Sequence, residues 1–366
     1  MRIAWTLIAL ASVVVAAAPT AAGERFLAQP KLATDCQSTL ISATTPFAQK
    51  KLKQLDKCAM AAFKCIQTVA PNDEAEEDPI DVCLGKASLR CAKAVDVITA
   101  EEQRLTDAIV KACAPLAPDE LLRVDGVGFE VIAPDCLDLG VTVEDTATVA
   151  ACIVQQHECA VEQMYLAEHP RAGELFGLVD ADLGPDSCLD DLGGPGSGVE
   201  DLKLGHRLVQ CEQGVTKAGG AFVVTKLKSL GRCLGAVFDC VQLAPHDDAC
   251  LVKAKSTCDK AFSVVGANAL EVAPAVGKSC GAIAMDQLLA DTGVDYQALI
   301  DEEICVPLGV GGIATVPHYA TCLYREHECA GDDILRFTVP RAAELLALVG
   351  RTLPGSFFCI PPEDDV

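Results

Sequence analysis

The chain is poor in aromatic residues, 4% with a single Trp, and short of positive charge, with 29 Lys plus Arg against 52 Asp plus Glu. A surface of that sign repels phosphate backbones, which argues against nucleic acid as a partner. Scarce rings leave the core to Leu, Val, Ala and cystine, so covalent cross-links must make up for thin aromatic packing. Long apolar runs are missing beyond the first residues. The stretch ICVPLGVGGIATVP is apolar, but Pro307, Gly311 and Gly312 make it a loop, and no later segment reaches the roughly 20 residues of a membrane span. No C-x-x-C and no C-x-x-C-H occurs, which removes zinc-ribbon, ferredoxin-like, thioredoxin-like and c-type haem readings. H-E-x-x-H, the Walker loop and G-x-G-x-x-G are also missing, so the chain leans away from the enzyme classes built on them.

What is present begins with a leader. Arg2, an apolar run from Ile3 to Ala18 broken only by Thr6 and Ser12, and small residues through Thr20, Ala21 and Ala22 read as a signal peptide over 1–22. The mature protein is expected to be exported, periplasmic or extracellular, with no membrane span. Twenty cysteines, an even count, then mean ten disulfides. A mature length of 344 residues (366 minus 22) allows about two domains, each able to bury its own core.

The cysteines reveal a duplication. From Cys36 through Cys58, Cys65, Cys83, Cys91, Cys113, Cys136, Cys152, Cys159 and Cys188 the steps are 22, 7, 18, 8, 22, 23, 16, 7 and 29. From Cys211 through Cys233, Cys240, Cys250, Cys258, Cys280, Cys305, Cys322, Cys329 and Cys359 they are 22, 7, 10, 8, 22, 25, 17, 7 and 30. Phe47 with Phe222, Leu52 with Leu227, Leu55 with Leu230, Phe63 with Phe238, and Lys86 with Lys253 agree as well. The first copy spans 23–188 and the second 206–366, joined over 189–205 by a flexible linker rich in Gly, Pro and Ser, including Gly193, Gly194, Pro195 and Gly196. The one large spacing difference falls in APNDEAEEDP against APHDDA, which marks that segment as a turn between helices.

Apolar residues at Phe47, Leu52, Leu55, Met60, Phe63 and Ile66 have helical spacing, and Thr45 before Pro46 reads as the helix start. Cys58 and Cys65 share one face of that helix but stand roughly 10 Å apart along it, too far to bond each other. Antiparallel partners keep a constant index sum, and the sums are 148 for Cys65 with Cys83 and 149 for both Cys58 with Cys91 and Cys36 with Cys113. Cys240 with Cys250 gives 490, while Cys233 with Cys258 and Cys211 with Cys280 give 491. Each copy is therefore expected to be a helical hairpin stapled at three levels. Cys152 and Cys159, then Cys322 and Cys329, lie on a further helix. Their partners are Cys136 and Cys188, then Cys305 and Cys359, and both pairings fit. The fold class is all-α: two tandem disulfide-rich helical domains, each a stapled antiparallel hairpin plus a smaller helical subunit.

The twin pairs in CAMAAFKC with CLGKASLRC, and CLGAVFDC with CLVKAKSTC, resemble the disulfide-stapled helical hairpins of twin cysteine-motif proteins in architecture. The whole pattern also resembles uncharacterised cysteine-rich exported bacterial proteins, a resemblance that implies a fold and carries no activity.

Two polar features occur in both copies. His157 with Glu158 and His327 with Glu328 stand in C-x4-H-E-C. On a helix His157 lies about 200° round from Cys159, so its plain reading is an exposed or capping histidine. The sharper reading is that the copies meet about a pseudo-twofold axis and gather His157, Glu158, His327 and Glu328 around a divalent metal, the only cofactor entertained. Pro170-Arg171 and Pro340-Arg341 start helical patterns in which Glu174 and Glu344 can pair with the arginines. Alternatively, Arg171 and Arg341 bind a carboxylate or phosphate ligand. The acidic tip Asn72, Asp73, Glu74, Glu76, Glu77 and Asp78 lacks EF-hand spacing and reads as a solvated turn. The expected function is a noncatalytic structural or protein-binding module, with metal or small-ligand binding between the copies as its competitor.

Overall fold

The computed structural model describes residues 29–71, 77–302, 304–357 and 359; the leader over 1–22 and Asn72, Asp73, Glu74 and Glu76 of the acidic tip lie outside the described residues. Helix α1 runs Pro30–Thr68 and α2 runs Pro79–Cys113. The Asp78 carboxylate caps α2 by accepting from the Ile80 N–H. Helix α1 does not start at Pro46 as expected; Pro46 lies inside it. An interior proline removes one hydrogen bond and costs about 3 kcal/mol. Ala33, Cys36 and Leu40 nevertheless extend the buried stripe of Phe47, Leu52 and Leu55 across the break, and that burial outweighs the lost bond.

Shorter elements complete the first half: α3 Pro118–Leu122, a 3-10 turn Phe129–Ile132, α4 Ala133–Asp138, α5 Thr146–Glu168 and α6 Ala172–Gly177. The second half follows the same order with α7 Leu202–Leu243, α8 Asp248–Cys280, α9 Met285–Leu289, α10 Ala298–Asp301, α11 Val316–Thr338 and α12 Ala342–Leu348. No strand occurs among the described residues.

Three disulfides staple α1 to α2: Cys65–Cys83 beside the turn, Cys58–Cys91, and Cys36–Cys113 at the far end. Cys240–Cys250, Cys233–Cys258 and Cys211–Cys280 do the same for α7 and α8. The pairing left open by spacing is Cys136–Cys152 with Cys159–Cys188, then Cys305–Cys322 with Cys329–Cys359. The reason is reach. In the first half α4 leads directly into the first turns of α5, where Cys152 sits, whereas the chain leaving α6 returns along α5 to Cys159. Every cysteine is bonded, which places the fold in an oxidising environment.

The two halves share one continuous core instead of each closing its own. Helix α1 crosses α7 antiparallel: Ile41 presses on bare Gly231, where an added Cβ would stand 2.8 Å from its Cγ2, while Asp56 stands beside Thr216 at the other end. Helix α5 lies against α11, as well as against α1 and α2 of its own half. The expected flexible linker is instead a packed strap, and its last residues already belong to α7. Gly196 N–H donates to Glu174 Oε1 at 2.6 Å, and Val199 N–H donates to Gln67 Oε1 at 3.2 Å. Gly198 and Gly205 are needed for close approach, since a Cβ on either would stand 2.0 or 1.8 Å from a carbonyl oxygen of α1. No helix among the described residues is long and apolar enough to cross a membrane.

Candidate functional site between the two halves

Glu158 and Glu328 each meet a buried lysine. Lys51 on α1 contacts Glu162 at 2.8 Å, Glu158 at 3.5 Å and Glu102 at 3.8 Å. Lys226 on α7 contacts Asp332 at 2.6 Å and Glu328 at 2.9 Å, and also donates to the Glu328 backbone carbonyl. Burial and the neighbouring Glu102 push Glu158 up to about 8, although Lys51 pulls it down. The same carboxylates hold the chain that carries each final cystine. Glu162 accepts from Cys188 N–H and Ser187 Oγ–H, and Asp332 accepts from Gly355 N–H. Sequence reading passed over Lys51 and Lys226, yet a signal was there: both interrupt an apolar stripe, at the offset that separates Cys58 from Cys233.

The expectation of an exposed or capping histidine is corrected for both His157 and His327, which are fully buried. Helix α5 is enclosed by α1, α2 and α11, so the face opposite its buried Cys152 is also core. His157 meets Thr44 Oγ1 at 3.2 Å, Thr338 Oγ1 at 3.1 Å and Gln156 Oε1 at 2.7 Å. His327 meets Glu168 Oε1 at 2.8 Å. The four residues expected around one metal are thus distributed among separate contacts. Among the described residues no three His, Cys, Asp or Glu side chains are grouped to hold a metal ion.

Burial alone pulls His157 down to about 3. The unfolded ring takes a proton near 6.5 and the folded ring does not, so stability present above that pH is lost as the pH falls through 6.5 toward 3. Between pH 7 and pH 5 this residue alone should remove about 2 kcal/mol. Urea unfolding of the native protein and His157→Gln at both pH values checks this, with the variant expected to lose less on acidification. Equal losses would mean that the ring is protonated inside the fold.

Arg171 and Arg341 form reciprocal clamps between the halves. Arg171 is fully buried, grips Glu174 with Nε at 2.7 Å and Nη2 at 2.8 Å, and donates across to Gly293 O at 3.0 Å and to Ser197 O at 2.9 Å. Arg341 grips Glu344 at 2.8 and 2.7 Å and donates across to Gly126 O at 2.9 Å. Gly126 and Gly293 differ by the 167 residues that separate Cys113 from Cys280, so each half holds the equivalent turn of the other. The planar fork suits a carboxylate plus backbone carbonyls, which an ammonium would not span.

One side of this pseudo-symmetric arrangement differs sharply from the other. Glu168, Glu212, His169, His327, Tyr296 and Tyr319 gather where α5, α7 and α11 meet the segment before α10, all buried. Tyr296 Oη–H donates to Glu212 Oε1 at 3.0 Å, and Tyr319 Oη–H donates to Ala167 O at 3.0 Å. His169 meets Met60 Sδ at 3.2 Å and approaches Glu212 at 3.5 Å. Burial raises Glu168 and Glu212 well above the ordinary carboxylate range, and pulls His169 down to about 3 and His327 to about 4. In the cysteine register, the positions equivalent to Glu168, Glu212, His169, Tyr296 and Tyr319 are Thr338, Gln37, Val339, Phe129 and Val149. None of these five ionises in the physiological range.

A cavity of about 590 Å³ opens beside this cluster between α1 and α7, lined by Leu52, Asp56, Glu168, Thr216, Gly220 and Val224 among others. Groups with strongly displaced protonation beside a concavity are the usual physical mark of a site. A G-x-S-x-G string at Gly277 to Gly281 is no nucleophile elbow, because it ends helix α8 and Ser279 donates to Ala275 O at 3.2 Å. Compared with protein-family models, curated proteins and solved structures, the chain matches none of them.

Proposed function

We propose that the protein is an exported, noncatalytic binding module that takes a small ligand into the cavity between α1 and α7. The observation that carries this reading is the asymmetry between two otherwise equivalent halves. Where one side holds Thr, Gln, Val and Phe at the equivalent positions, the other carries two buried carboxylates, His169 and two tyrosines, and Glu168 among them lines the open space. Buried ionisable groups oppose folding, and a ligand that met them would offset that cost. Ten disulfides would keep such a pocket in shape outside the cytoplasm, periplasmic or extracellular, after removal of the leader.

A second reading, a structural or protein-binding module without a pocket ligand, draws support from the internal use of His157, Arg171, Arg341 and Glu328. The two separate on one variant. A Cβ on Gly220 meets nothing within 4 Å, so Gly220→Trp adds bulk at the cavity without a backbone clash. Thermal-shift screening of the oxidised protein against small cations, anions and neutral molecules should yield stabilising compounds that lose their effect on Gly220→Trp. If no compound shows that dependence, the pocket reading falls and the structural module takes its place.

A further inference from the structure

We propose that the cavity between α1 and α7 receives the ammonium group of a small organic molecule, seated between Asp56 and Glu168. This rests on the reading of the cavity as a ligand site and names the chemical class it takes.

Both carboxylates line the cavity. Asp56 Oδ1 is buried without a hydrogen-bond partner. Glu168 is 1% exposed and its Oε1 meets His327 at 2.8 Å. A desolvated acceptor without a donor costs about 1–3 kcal/mol, so an unpaired Asp56 oxygen in the wall of this cavity points to something that brings a donor with it. The two carboxyl groups also repel each other, since Asp56 is the charge that disfavours ionised Glu168. A cation between them removes the repulsion and supplies the donors; a neutral hydroxyl supplies donors only, and an anion supplies neither.

The duplication contains its own control. The equivalents of Asp56 and Thr216 in the other half are Gly231 and Ile41, and there the Ile41 methyl presses on the bare glycine. The equivalent of Glu168 is Thr338, whose hydroxyl donates to Ile334 O inside its own helix. One end of the α1–α7 crossing is thus sealed with hydrocarbon, while the other carries two carboxylates around open space. Packing alone requires only the first solution.

The rest of the lining limits the body attached to the ammonium. Leu52 and Val224 supply apolar wall, and the absent side chain of Gly220 leaves width. Lys53 and Lys217 stand exposed at the cavity and oppose a second positive charge, so the ligand is a monocation or carries an anionic tail toward those lysines. The net charge of −23 raises the local concentration of any small cation.

The test uses the full oxidised chain and three skeletons, n-butyl, benzyl and cyclohexylmethyl, each carrying an ammonium, a hydroxyl or a carboxylate. Calorimetric titration should find binding of ammonium compounds only, weakened about tenfold or more in Asp56→Asn, as expected for loss of a charge-assisted contact, and abolished in Gly220→Trp. Asp56 is only partly buried, so its variant should fold; retained helicity and ten intact disulfides confirm that it has. Alcohols or carboxylates that bind as tightly, with the same Gly220→Trp sensitivity, would overturn the ammonium assignment and leave the pocket reading standing. Absence of any binding lost in Gly220→Trp would overturn both.

Discussion

Lys226→Met should destabilise the oxidised protein by about 3–5 kcal/mol, read as a lower guanidinium midpoint with an unchanged slope. The lysine is fully buried and stands between Glu328 at 2.9 Å and Asp332 at 2.6 Å. Removing it leaves two carboxyl groups in a site from which water is excluded. It also strips the counter-ion from the anchor of the final cystine segment, since Asp332 accepts from Gly355 N–H. A triple variant, Lys226→Met with Glu328→Gln and Asp332→Asn, should recover much of the loss, since the cost lies in the unpaired charges and not in the missing lysine. No recovery would show that the alkyl packing of Lys226 dominates. Lys51→Met should cost less: three carboxyl groups surround Lys51, and Glu158 among them is already pushed up to about 8.

Removing the far-end staple should hurt more than removing the staple at the turn. The Cys36–Cys113 bond joins residues 77 apart, and Cys240–Cys250 joins residues 10 apart. Chain entropy alone makes the first worth about 4.5 kcal/mol and the second about 2.7. Burial acts in the same direction, since Cys36 and Cys113 are fully enclosed while Cys250 is half-buried. Paired Cys→Ala variants, unfolded in denaturant under oxidising conditions, give both numbers. Equal costs would mean that the bonds act through native packing rather than through the unfolded chain.

How much of this was legible in sequence depends on whether an interaction is local in the hairpin or crosses between halves. Cys58 and Cys65, two turns apart, declare their face, and the antiparallel return of α2 fixes a constant sum for each bond. For Cys152 and Cys159 no such constraint exists, since their partners lie on irregular segments whose path no periodicity encodes. The pairing of Arg171 with Glu174 follows from helix geometry, whereas its bond to Gly293 O requires knowing that the turns of the other half come within reach.

The same division explains the misplaced residues. Pro46 reads as a start because local propensity opposes an interior proline, and burial on both sides overrides it. Helical phase alone sends His157 away from its cysteines, but phase does not reveal that another helix covers that face. Gly198 looks like flexibility until α1 is found against it.

By itself, then, the sequence determined the all-α class, the duplication and the three-level staples, because these follow from spacings within one hairpin. Only the tertiary structure decided that the halves share a core, that both histidines are sealed, and that Asp56 and Glu168 face one cavity. These depend on which helix faces meet across more than a hundred residues of chain, and contacts at that separation leave no period to read.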